Sequence, residues 1–191
     1  MNIAFHTLGC KLNFSETSFI ANSIKKLGFT EVPFSKIADI YIINTCTVTE
    51  NANKECQYLI RKVLRKNPQA RTVIIGCYAQ LKPKEISKIR GVDLILGNNE
   101  KFKLGDYLHN LKKTNRPNII MKSLEDLNDF KPSFSFGNRT RSFLKIQDGC
   151  DYKCSFCTIP LARGKSRSDT VENTINKIKH LKQNGVKEIV L

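Results

Sequence analysis

Seven cysteines carry most of the chemistry this sequence could perform, and six of them fall into two patterns. The first is local. Gly149-Cys150-Asp151-Tyr152-Lys153-Cys154-Ser155-Phe156-Cys157 has the spacing C-x3-C-x2-C. Three thiolates on one short loop can hold three irons of a four-iron cluster; a fully liganded cluster takes four cysteines, so one iron stays open to another ligand. An open iron suits a molecule that chelates through an amino and a carboxylate group, as S-adenosylmethionine does, and an electron from the cluster can then break its sulfur–carbon bond. The competing reading is a zinc knuckle. Structural zinc takes four ligands, and the fourth would have to come from elsewhere, with His180 as the candidate.

The second pattern is dispersed. Cys10, Cys46 and Cys77 each follow a strand-like apolar run through one or two small or polar residues: Gly9, Asn44-Thr45 and Gly76. If those strands are parallel, all three thiols stand at the carboxyl edge of one sheet, where doubly wound folds bind ligands. A second three-cysteine cluster with an open iron is one reading. Three buried, inert thiols are the other, since free cysteine is often a core residue. Cys56 shares a helical face with Ala52, Leu59 and Val63 and reads as a core thiol; His6 and His109 read as structural.

The elements that must position these residues follow from periodicity. Ile3–Leu8, Asp39–Ile43, Thr72–Ile75 and Val92–Leu96 are apolar runs of strand length, with a weaker one at Phe29–Val32. Between them lie helical patterns. One has Asn13 and Glu16 in a capping-box spacing and a stripe of Thr17, Ile20, Ala21, Ile24 and Leu27 before Gly28. Another is capped within Thr47–Glu50 and ends at Asn67-Pro68, and a third runs from Pro83 to Gly91. Apolar strands alternating with helices predict a doubly wound parallel sheet with helices on both faces over residues 1–113. Residues 114–140 are polar, contain Pro117 and Pro132, and read as a linker whose phenylalanines pack on a neighbouring domain. A second α/β unit fills 141–191: a strand over Arg141–Gln147, the cysteine loop, a helix capped by Asp169 with the stripe Val171, Ile175, Ile178 and Leu181, and a strand from Lys187. The sequence stops inside that strand, which predicts a fragment holding the first βαβ portion of a truncated barrel.

The chain has 191 residues and a formal net charge of +15, from 32 Lys+Arg against 17 Asp+Glu. That surplus suits a polyanion, nucleic acid above all, or a solvated basic surface. No secretory signal and no apolar run near the ~20 residues of a membrane helix are visible, so a soluble, cytoplasmic protein is expected and a disulfide framework is not.

The cysteine loop resembles that of the radical S-adenosylmethionine superfamily. The resemblance narrows with Thr7-Leu8-Gly9-Cys10-Lys11, Asn44-Thr45-Cys46-Thr47-Val48-Thr49, Gly76-Cys77-Tyr78-Ala79-Gln80, Ile146-Gln147-Asp148-Gly149-Cys150 and Ile159-Pro160-Leu161-Ala162-Arg163-Gly164, which look like the methylthiotransferase family. It runs over nearly the whole chain and is strongest to the branch acting on N6-threonylcarbamoyladenosine beside the tRNA anticodon. It implies two [4Fe-4S] clusters, one on Cys10, Cys46 and Cys77 and one on Cys150, Cys154 and Cys157, with a TIM-like radical barrel of which only the start is present. It also implies S-adenosylmethionine as cosubstrate, with Phe156 and Tyr152 beside it, and insertion of a methylthio group at carbon 2 of the adenine. Further implied partners are the tRNA anticodon stem-loop and an electron donor such as flavodoxin or ferredoxin; around the cluster loop Arg139, Arg141, Lys145, Lys153, Arg163, Lys165 and Arg167 outnumber Asp148 and Asp151, and Arg163, Lys165 and Arg167 are the candidates to hold the stem by its phosphates. Isopentenyladenosine in tRNA and a ribosomal protein aspartate are the alternative acceptors, and a non-catalytic, metal-stabilised RNA-binding module is the alternative of another class.

Overall fold

The computed structural model describes residues 1–46, 50–125, 129–135 and 140–191, and the side chains of residues 50–53 are not among those described. The cap expected within Thr47–Glu50, and Phe136 and Arg139, therefore lie outside the described residues. Six parallel strands form the main sheet: β1 (Asn2–Thr7), β2 (Thr30–Glu31), β3 (Ile40–Thr45), β4 (Arg71–Gly76), β5 (Leu94–Leu96) and β6 (Asn118–Ile120). Their order is β2-β1-β3-β4-β5-β6. The winding reverses between β1 and β3, which puts a topological switch point at their carboxyl ends.

Pleating explains why every one of β3's side chains is buried. Ile40 and Ile42 join Val73, Ile75, Leu94 and Leu96 on one face, against α1 (Lys11–Lys25) and α5 (Leu104–Leu108). Ile43, Ile74 and Ile95 point to the other face, against α2 (Glu50–Lys66), α3 (Cys77–Leu81) and α4 (Pro83–Ile86). A strand covered on both sides must be apolar throughout, which is what made these runs visible.

The expected linker contributes structure to both halves. Asn118–Ile120 is too short and too close to Pro117 to announce a strand, yet it pairs with Leu94–Leu96 as the sixth strand. Farther on, the Ser135 N–H donates to the Phe143 carbonyl and the Lys145 N–H to that of Ser133. Phe134 packs between Phe19 of α1 and His180, so at least this linker phenylalanine covers a neighbour, as expected.

The second unit differs in detail. The strand foreseen over Arg141–Gln147 is broken into β7 (Arg141–Phe143) and β8 (Gln147–Asp148). The chain then continues through α6 (Ile159–Arg163), β9 (Arg167–Ser168), α7 (Val171–Gln183) and β10 (Glu188–Val190). β7 pairs parallel with β10, and β8 pairs antiparallel with β9. Thr170, not Asp169, caps α7: its hydroxyl accepts the Asn173 N–H at 3.1 Å, while Asp169 pairs with Lys177. Of the foreseen α7 stripe only Leu181 is fully buried; Val171 and Ile175 are exposed. Leu27 of the α1 stripe is likewise exposed. Among the described residues no helix is long and apolar enough to cross a membrane.

Candidate functional site

Cys10, Cys46 and Cys77 follow β1, β3 and β4, three neighbouring strands, and so stand side by side at one sheet edge. Asn13 binds two of the strand ends together. Its amide donates to the carbonyls of Leu8 (3.2 Å) and Thr45 (3.1 Å), and its backbone carbonyl accepts from the Asn44 amide. The foreseen capping box is therefore absent. α1 begins at Lys11 with Cys10 in the capping position, and Asn13 and Glu16 are engaged elsewhere. Gly9 has φ +119°, and a Cβ there would sit 2.6 Å from the Cys46 Cβ and 3.1 Å from its sulfur. Only a glycine lets the Cys10 segment lie this close to Cys46. Cys77 opens α3, and its sulfur is met by the Asn98 amide at 3.8 Å; the same amide donates to the Ala162 carbonyl at 2.6 Å. Cys10 is exposed, while Cys46 and Cys77 are buried.

The Cys150–Cys157 loop is anchored at its first end and closed by a turn at its last. The Cys150 N–H donates to the Gly164 carbonyl and the Cys157 N–H to that of Cys154. Asp151 accepts the Ser166 N–H at 2.9 Å. Gly149, with φ +75°, lies against backbone: a Cβ there would be 2.1 Å from the Lys165 carbonyl oxygen and 2.5 Å from that of Gly164. The three thiols are exposed or half-buried. Tyr152 and Phe156, the expected cofactor neighbours, are both exposed, Phe156 at 90%.

Between the two sets lies a buried charge network. Glu16 is fully buried and accepts from Lys101 (2.5 Å), Lys145 (3.1 Å) and both terminal nitrogens of Arg163 (3.0 and 3.2 Å). Asp148 takes Lys145 at 2.6 Å and Arg163 at 2.9 Å. Arg163 reaches Asn13 at 2.8 Å, and Lys101 donates to Asn98 at 2.9 Å. The chain from Cys77 through Asn98, Lys101, Glu16 and Arg163 to Asp148 is thus continuous, and Asp148 ends two residues before Cys150. Burial opposes the charge on Glu16, but Lys101, Arg163 and Lys145 outweigh it and hold the carboxyl well below the usual range. Asp148 is lowered in the same way, by Lys145 and Arg163 against its burial. Arg163 is raised well above its ordinary value although burial opposes it, through Glu16 first, then Cys77 and Asp148. These are the conditions under which buried charges stay charged: each has an opposite partner at hydrogen-bond distance.

Sequence reasoning missed this network, because the three cations around Glu16 stand 85 to 147 residues from it. One signal was there: Glu16 is in helical register with Ile20 and Ile24, on the buried face. The network also overturns the RNA contacts expected of Arg163 and Arg167. Arg163 is buried and paired twice, and Arg167 donates to the backbone carbonyls of Lys165 and Arg163 and lies 3.7 Å from Asp148. Only Lys165 is exposed. Cys56 is the core thiol expected; burial pushes it up to about 12. His6 stacks on Phe34 and His109 on Phe29, also as expected.

Among the described residues no three His, Cys, Asp or Glu side chains stand close enough to hold a single metal ion. A four-iron cluster asks for something else, one thiolate per iron rather than three donors on one point. The donor sets fit that requirement: three thiols at adjacent strand ends, and three on one loop. His180, the fourth ligand a zinc knuckle would need, sits on α7 beside Phe134 and Asn184. A cleft of about 710 Å³ lies beside Cys10, lined by Gly9 and Cys10 from the first unit and by Lys145, Gln147, Val190 and Leu191 from the second.

Comparison with known proteins agrees with this arrangement. The family described as uncharacterized protein family UPF0004 matches residues 2–97, and the radical SAM superfamily matches residues 144–191. Threonylcarbamoyladenosine tRNA methylthiotransferase MtaB of Aquifex aeolicus is 38% identical over 194 residues, covering 100% of this chain and 47% of the relative. The protein of the same name in Bacillus subtilis is 42% identical over 195 residues, covering 99% and 42%. Ribosomal protein uS12 methylthiotransferase RimO of Prochlorococcus marinus is 33% identical over 192 residues, covering 99% and 42%. The chain spans less than half the length of these relatives. With half its residues matched by that family, the chain belongs to the UPF0004 family, and its last 48 residues are similar to the radical SAM superfamily.

Proposed function

We propose that this chain is the amino-terminal part of a radical SAM methylthiotransferase that places a methylthio group on carbon 2 of N6-threonylcarbamoyladenosine in tRNA. The observation that supports the proposal is that the strand ends carrying Cys10, Cys46 and Cys77 and the loop carrying Cys150, Cys154 and Cys157 are tied together through Asn98, Lys101, Glu16, Arg163 and Asp148. The choice among acceptors rests on the names of the most similar relatives.

Cys10, Cys46 and Cys77 would hold one iron–sulfur cluster, and Cys150, Cys154 and Cys157 the other. When bound, the clusters supply the electron that splits S-adenosylmethionine and a site for the sulfur to be transferred. The chain's own residues supply placement. Asn13 fixes the Cys10 and Cys46 strand ends, Asn98 holds the Cys77 turn against α6, and Arg163 ties α1 to the loop before Cys150. The cleft opens at the carboxyl ends of β7 and β10, the end at which barrel enzymes hold their substrates. An aromatic C–H bond cannot be deprotonated by any side chain near neutral pH, which is why chemistry of this kind needs a radical.

The test is nucleoside mass spectrometry of tRNA from cells lacking the gene. The methylthio form of threonylcarbamoyladenosine should vanish and return with the intact gene but not with a Cys154→Ala version. Persistence of that nucleoside, with loss of a methylthio group from a ribosomal protein, would select the other acceptor.

A further inference from the structure

The surplus of positive charge has to be placed somewhere, and in the loop first expected to hold RNA two of the three cations are engaged within the chain. Arg163 is neutralised by Glu16 and Asp148, and Arg167 is occupied by backbone carbonyls and lies near Asp148. The outward face of α2 is different. Lys54, Tyr58, Lys62 and Lys66 follow one another at four-residue spacing, with Arg61 and Arg65 beside them. Such residues share one face of a helix. All are exposed. Two grooves flank the stripe, of about 500 and 690 Å³, and Arg61 and Arg65 line both. Lys88 and Arg90 line the second groove, and no carboxylate lines either.

Like charges four apart, as Arg61–Arg65 and Lys62–Lys66 are, weaken a helix slightly. This helix keeps two such pairs on its solvent face, while its buried face, with Cys56, Leu59, Ile60 and Val63, is ordinary core. A ring is set among the charges: Tyr58 is 59% exposed, with the Lys62 ammonium 5.8 Å from its centroid. Cations in a row with an exposed ring among them suit a nucleic acid strand, whose phosphates take the charges and whose bases stack. From Lys54 to Arg65 the helix rises ~16 Å. It follows β3, so its first turn lies nearest the Cys46 edge and its last turn farthest.

We infer that this face of α2 is an RNA-backbone docking surface, with Lys54, Arg61, Lys62 and Arg65 on phosphates and Tyr58 stacking on a base. It would hold a part of the RNA outside the reacting nucleotide. The choice of RNA as the polyanion rests on the proposed tRNA substrate.

The experiment titrates the chain with a fluorescein-labelled, unmodified anticodon stem-loop RNA, by anisotropy, between 50 and 200 mM salt. One variant replaces Lys54, Arg61, Lys62 and Arg65 by Ala. A control of equal charge replaces the exposed Lys26, Lys103, Lys122 and Lys179 by Ala. The α2 variant should bind at least ~10-fold more weakly at 100 mM salt. Its slope of log affinity on log salt should be shallower by roughly three, at about 0.7–0.9 per lost phosphate contact. The control should change affinity by less than about threefold. Tyr58→Ala should weaken binding roughly tenfold with the slope unchanged. In the unaltered chain, RNA carrying 4-thiouridine should crosslink under ultraviolet light to residues 54–66, a readout that no folding defect of a variant can alter. Equal losses in both quadruple variants, no binding by the unaltered chain, or crosslinks elsewhere would each overturn the inference. Because the RNA is unmodified and no turnover is measured, a ribosomal acceptor would defeat the proposed function and leave this result standing.

Discussion

Glu16 occupies a position on α1 where the helical register calls for an apolar residue, and it is kept charged there by three cations. Removing one member of such a buried set is costly because the others are left uncompensated. Glu16→Gln keeps the shape and leaves Lys101, Lys145 and Arg163 facing only Asp148. We expect a loss of about 3–5 kcal/mol at pH 7 in urea unfolding. The pH dependence is set by the direction of the shift. A carboxyl lowered on folding contributes stability that is present above its unfolded value, ~4.3, and is lost as the pH falls through the folded value. The stability gap between the native chain and Glu16→Gln should therefore be constant above about pH 5 and shrink below it. A gap that does not change between pH 7 and pH 3 would mean that Glu16 is not held as a carboxylate.

At the scale of elements, what was legible in the sequence was whatever is repeated locally. The fully apolar runs of β1, β3, β4 and β5 and the cysteines that follow three of them could be read directly, because strand and cysteine lie within a few residues. The ends of α1 and α7 were misread for one reason. Asn13, Glu16 and Asp169 have the types of capping residues, but their side chains are taken by partners: Arg163 for the first two and Lys177 for the third. β6 escaped because three residues after a proline carry no period. The Cys150 loop tests how far element geometry governs the site. At Gly149, Ala would have to adopt φ +75° and place a Cβ 2.1 Å from the Lys165 carbonyl oxygen. That oxygen is backbone and cannot step aside. Gly149→Ala should therefore lose about half the iron and sulfide bound after anaerobic reconstitution, with β1, β3 and β4 still protected from hydrogen exchange. Full iron in this variant would show that the loop does not need its seat on Gly164 and Lys165.

Over the whole molecule, the two halves are joined through a shared charge network: α1 brings Glu16, the turn after β5 brings Lys101, and the segment after residue 144 brings Lys145, Asp148 and Arg163. Few single elements could reveal this, since the network exists only once both halves are folded together. The segment from 141 to 191 keeps Leu161, Val171, Ile175 and Leu191 exposed. The central claim is that six cysteines serve as two independent cluster sites and the seventh as core. It is tested most directly by iron and sulfide analysis of the chain after anaerobic reconstitution, beside Cys10→Ala, Cys154→Ala and Cys56→Ser. Two cluster sites predict about eight irons and a similar amount of sulfide in the native chain. Each of the first two variants should hold about half of that, and Cys56→Ser should hold all of it. One equivalent of zinc without sulfide, or iron loss in Cys56→Ser, would contradict it.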